Sequence, residues 1–123
     1  MPAIQPPYLS PSGPIYGETN LKFAGNPIVW ALTLGTGSIG ILPQRPRSSL
    51  YFFNPGGSPP GTGNIVYICP SLDPYGNPLA AAVGGPGCIA VPVGIGVTIG
   101  FTTQAFNACA SGVNTPFTVW EFL

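Results

Sequence analysis

The segment Val93-Gly94-Ile95-Gly96-Val97-Thr98-Ile99-Gly100-Phe101 alternates Ile95, Val97, Ile99 and Phe101 with Gly96, Thr98 and Gly100. A period of two places the large apolar side chains on one face of a strand. Outward from this segment the same pattern repeats, with β-branched and aromatic runs closed by Pro, Gly or Asn. Residues 28–34 (IVWALTL) lie between Asn26-Pro27 and Gly35, residues 48–54 (SSLYFFN) between Pro46 and Pro55-Gly56-Gly57, and residues 64–69 (NIVYIC) between a glycine-rich loop and Pro70. A short run at 88–91 precedes the alternating strand. Residues 104–110 and 116–122 (PFTVWEF) follow it, joined by the turn 111–115. About seven strands in roughly a hundred residues predict an all-β fold, a single antiparallel β-sandwich of jelly-roll or immunoglobulin-like type.

The 123 residues suit one domain. Eighteen glycines and 17 prolines leave little room for helix. The 45% hydrophobic content and zero net charge are the opposite of a disordered composition.

Only Glu18, Lys22, Arg45, Arg47, Asp73 and Glu121 carry charge, 5% of the chain, against about 25% in ordinary soluble domains. Three scattered cations cannot build a phosphate-binding surface, so neither nucleic acid nor anionic lipid is an expected partner. With no histidine and three separated carboxylates, the usual acid/base, nucleophile and metal constellations cannot be assembled. We expect no enzymatic activity, no cofactor and no metal. Soluble monomers normally hold their net charge away from zero, so an uncharged surface suggests burial against partners and an assembly protein.

Several strands read as apolar on both faces. Tyr51 and Phe53 oppose Leu50 and Phe52, and Trp120 and Phe122 oppose Phe117 and Val119. A sandwich strand needs only one such face, and the second must meet an arm, a loop or another subunit. Trp30 and Trp120 are the candidate interface residues of the sandwich, because Trp is enriched where partners dock.

Residues 1–20 contain Pro2, Pro6, Pro7, Pro11 and Pro14 with Tyr8, Leu9, Ile15 and Tyr16 between them. Such a sequence continues neither helix nor ladder. It predicts an extended Pro-rich N-terminal arm, followed by a sandwich domain over residues 21–123. In polyproline II form twenty residues reach about 60 Å, enough to cross a neighbouring subunit, with Tyr8, Leu9, Ile15 and Tyr16 as docking groups.

Two stretches imitate other chemistries. Gly35-Thr36-Gly37-Ser38-Ile39-Gly40 matches G-x-G-x-x-G and follows a strand, but Pro43 and Pro46 forbid the helix that would receive a pyrophosphate, so we read a glycine-rich β-turn. Residues 79–101 lack charge over a length sufficient to span a bilayer. Their glycines, Pro86 and Pro92 break a helix, and the alternation from Val93 onward belongs to a strand. No membrane role is expected.

Cys69, Cys88 and Cys109 show no CxxC spacing and are expected as buried thiols acting as small hydrophobes. The sequence Met1-Pro-Ala-Ile-Gln-Pro-Pro7 has no basic or apolar region of a secretory signal. We therefore expect folding in a reducing cytoplasm. Asp73, Tyr75 and Asn77 lie within five residues of one loop, the combination of carboxylate, ring and amide that a sugar site uses. The same Asp-Pro and Asn-Pro pairs also describe an ordinary turn.

Over residues 45–123 the order of features resembles the small β-sandwich proteins that decorate or stabilise the heads of tailed bacteriophages. The resemblance is carried by Arg47-Ser-Ser-Leu-Tyr-Phe-Phe-Asn54, Ile65-Val-Tyr-Ile68, an apolar glycine-containing strand, Ala105-Phe106 and Thr118-Val-Trp-Glu121. The chain has Pro92-Val93-Gly94 where the family often carries a Pro-Gly turn, and it adds the arm and an insertion over residues 73–86. The resemblance implies a structural protein of a virion assembled in the host cytoplasm: a capsid decoration, cement or spike-base subunit. Its partners would be the major capsid protein or other virion proteins, and copies of itself, most simply as a trimer. The alternative is a receptor- or carbohydrate-binding β-sandwich module of a virion or cell surface.

Overall fold

The structure, a computed structural model, describes residues 25–123. The predicted arm, residues 1–20, lies outside the described residues; Gly25-Asn26-Pro27 precede β1. Eight strands follow: β1 (Ile28–Leu34), β2 (Ile39–Leu42), β3 (Ser49–Phe53), β4 (Val66–Pro70), β5 (Ile89–Val91), β6 (Gly96–Ile99), β7 (Phe106–Ala110) and β8 (Thr115–Phe122). They form two four-stranded sheets of order β1-β8-β3-β6 and β2-β7-β4-β5.

Every ladder is antiparallel. The innermost hairpin pairs β4 with β5; outside it β3 pairs β6, β2 pairs β7, and β1 pairs β8. The chain is thus a set of nested antiparallel pairs, rolled so that alternate pairs fall in opposite sheets. Contacts β3·β8 and β4·β7 complete each sheet. Pro116 is tolerated in β8 because it pairs Thr33 of β1 where β8 has already run past β3, whose register ends at Phe53↔Thr118.

The core lies between the sheets. Leu50 and Phe52 of β3, Phe117 and Val119 of β8, Val66 and Ile68 of β4, and Phe106 and Ala108 of β7 all point into it. Phe52 stacks on Phe117 with ring centroids 6.0 Å apart and meets Phe106 of the opposite sheet edge-on at 5.6 Å. Asn54 closes one end. Its Nδ2 donates to the carbonyls of Asn64 and Val91, both at 2.8 Å, and its Oδ1 accepts from the Gly56 N–H. A fully buried amide thereby joins β3 to the end of β5 with both its polar atoms satisfied.

The all-β sandwich is as expected, with two corrections. Residues 35–40 are not only a turn, since Ile39 opens β2, which raises the count from seven strands to eight. That strand has four residues and a register shift between Gly40 and Leu42, so it carries no readable alternation. The alternating strand expected over residues 93–101 is shorter, spanning only Gly96–Ile99. The N–H of Ile95 donates to the Pro92 carbonyl, with Gly94 at φ +80°, forming a turn that delays β6 to Gly96. Val97 and Ile99 pack on the core, whereas Ile95 and Phe101 fall outside the strand and are exposed.

Candidate interaction surface

Three of the four charges among the described residues are found together. Glu121 shares the phase of Phe117 and Val119 on β8, which carries its carboxylate to the inner face, where it is fully buried. Its Oε2 accepts from Arg45 Nε at 2.9 Å and from Arg47 Nε at 2.5 Å; its Oε1 accepts from Arg45 Nη2 and from the Trp30 indole at 3.1 Å. Arg47, also buried, spends its remaining donors on the carbonyls of Gln104 and Pro43. Burial alone would raise the Glu121 carboxyl, but hydrogen bonds from Arg45, Arg47 and Trp30 hold it at about 2. Of the four charged residues described, Asp73 alone lies outside this cluster.

Asp73 is itself occupied. Its Oδ1 accepts from the N–H groups of Tyr75 and Asn77, and its Oδ2 from Asn77 Nδ2. The Asn77 N–H is the largest influence holding its carboxyl below the usual range. The trio Asp73, Tyr75 and Asn77 is therefore brought together as a self-closed turn. Tyr75, 88% exposed, is the side chain left projecting from it.

The outward faces of the two sheets differ. On the β2-β7-β4-β5 sheet, Tyr67, Cys69 and Cys109 point outward, and residues 71–88 fold back over them with Leu79, Ala81 and Cys88. Asn107 Nδ2 donates to the Leu79 carbonyl, and the Ala81 N–H donates to Ser38 Oγ, fixing the flap. A cavity of about 160 Å³ remains between Cys69, Cys88, Leu79 and Pro86. All three thiols are free, with Cys69 and Cys109 buried and Cys88 half-buried. Burial, reinforced by Cys88, pushes the Cys69 thiol up to about 11.

On the β1-β8-β3-β6 sheet the outward residues include Val29, Ala31 and Thr33, Thr118 and Trp120, Tyr51 and Phe53, and Gly96 and Thr98. The register aligns Val29, Trp120, Tyr51 and Thr98 as one row, and Ala31, Thr118, Phe53 and Gly96 as the next. Tyr51 stacks against Phe53 (centroids 6.3 Å, 10° between planes) and tilts against Trp120 at 6.0 Å. Gly96 makes this possible, because a Cβ there would collide with the Tyr51 hydroxyl and ring. The result is an uncharged aromatic shelf, with Val29 59% and Trp120 41% exposed.

Of the expected interface residues, Trp120 stands on this shelf, while Trp30 lies on the inner face, half-buried, with its indole committed to Glu121. Tyr8, Leu9, Ile15 and Tyr16 lie outside the described residues. The buried ion cluster escaped the sequence reading although its signal was present: the β8 alternation puts Glu121 in step with Val119, and an inward carboxylate requires a cation. A scan against protein-family models finds none that matches this chain, and searches of curated proteins and of solved structures likewise find no match.

Proposed function

We propose that this chain is a structural, non-enzymatic subunit of a virus particle: a head decoration, cement or spike-base protein that works by burying apolar surface against its own copies and a shell protein. Its main support is the charge distribution. Three of the four described charges, Arg45, Arg47 and Glu121, gather around one buried carboxylate, which leaves little charge on the described surface, a surface suited to contact rather than to free solution. The nested pairing of β1 with β8, β2 with β7, β3 with β6 and β4 with β5 favours the jelly-roll form of the sandwich over the immunoglobulin-like one. Viral capsid proteins use that architecture, and so do lectins, so topology by itself does not choose a role.

The turn at Asp73 bears on the receptor- or carbohydrate-binding alternative, because its carboxylate and amide already satisfy each other. Quantitative mass spectrometry of purified particles tests the proposal. Dozens to hundreds of copies per particle are expected; a handful points to receptor binding, and absence from particles contradicts the assignment.

A further inference from the structure

The two outward faces pose an unequal problem. One sheet has its outer apolar face covered by the chain's own residues 71–88, whereas no described residue covers the aromatic shelf of Tyr51, Phe53 and Trp120. Residues 1–24 lie outside the described residues, and they join the fold at the edge of this sheet, ahead of β1. We propose that the shelf is the seat of the chain's own N-terminal segment, with residues 6–16 crossing the row Val29, Trp120, Tyr51 and Thr98.

Geometry, composition and hydrogen bonding each point to this occupant. Gly25 has φ +85°, a left-handed conformation that turns the chain just ahead of β1, and Val29, the first member of the row, is four residues further on. Four strands about 4.8 Å apart make the row about 14 Å wide. Residues 6–16 in polyproline II form reach about 34 Å, so the crossing is short for the chain available. The segment Pro6-Pro-Tyr-Leu-Ser-Pro-Ser-Gly-Pro-Ile-Tyr16 contains Pro11-x-x-Pro14 and no charge, and segments of this kind dock on aromatic-lined surfaces. Polyproline II leaves its carbonyls without internal partners. On the shelf, the Trp120 indole N–H and the Tyr51 hydroxyl have no acceptor among the described residues and face outward to supply those bonds. Tethering through residues 17–24 keeps the segment at a high effective concentration, which favours its own shelf over that of another copy.

Site-specific photocrosslinking tests the assignment. With p-benzoylphenylalanine in place of Tyr8 or Tyr16 in the full chain, irradiation at low concentration is expected to join the arm to peptides carrying Tyr51, Phe53 or Trp120, within a band of single-chain mass. Crosslinks elsewhere, no crosslink, or a product confined to a doubled-mass band overturn it, the last showing that a second copy supplies the arm. As a second readout, deleting residues 2–16 is expected to shift tryptophan emission to longer wavelength, and to do so no longer in a Trp120→Phe background. An unshifted spectrum in the first case contradicts the docking. Particle assembly and arm docking fail separately, since the crosslink is read on the isolated chain and the copy number on particles.

Discussion

Glu121 is the residue on which one end of the sandwich depends. Its folded pKa of about 2 lies below the unfolded value near 4.3. The stabilisation it brings is therefore fully present above about pH 4.3 and is lost as pH falls toward 2, on the order of 3 kcal/mol. Asp73, whose carboxyl is also held low, contributes to the same acid limb. Urea melts of the native chain and of Glu121→Gln between pH 7 and pH 2.5 separate the two. The variant is expected to lose about 3 to 5 kcal/mol at pH 7, because it strands buried Arg47, and to show a flatter acid limb. Asn54→Ala leaves the Asn64 and Val91 carbonyls without their side-chain donor and is expected to cost about 1 to 3 kcal/mol. Among the thiols, Cys88 should react first with a disulfide reagent at pH 8. Cys69 and Cys109, buried and with raised pKa values, should react only on unfolding.

At the scale of elements, β6 tests why the alternating segment works as a strand. Ile99 faces the core and Thr98 faces outward beside Tyr51. Ile99→Ala is expected to cost about 2 kcal/mol, the low end for a partly exposed site, and Thr98→Ala within about 0.5 kcal/mol, both read in urea melts. Gly96→Ala displaces the Tyr51 ring from its place over Gly96 and should cost about 1 to 3 kcal/mol. Seven runs are legible because β-branched and aromatic residues fall between Pro, Gly and Asn stops, and the two-faced character of β3 and β8 is legible in Tyr51, Phe53 and Trp120. The short, bulged β2 was hidden, because a shift at Gly40 breaks the period that would announce a strand. Trp30 was read as an interface residue, yet its side depends on the β1 register against Val119 and on a partner 91 residues away. Composition foretold how few charges there are, but their convergence is a property of topology: Arg45 and Arg47 precede β3, and Glu121 lies near the end of β8.

For the whole molecule, the proposed role rests on a domain that gathers three of its four described charges around the buried carboxylate of Glu121 and leaves apolar side chains exposed. The exposed side chains Ile39, Ile89, Phe101 and Val113 lie on the β2-β7-β4-β5 sheet and on loops, outside the row assigned to the arm, so closure by cyclic symmetry is the simplest way to bury several at once. A trimer is the expected form. Sedimentation equilibrium of the full chain, from submicromolar to tens of micromolar in physiological salt, measures this directly. A closed oligomer, trimeric in mass, is expected, with a dissociation insensitive to salt because few surface charges are there to be screened; a soluble monomer across the whole range would contradict the proposed assembly role.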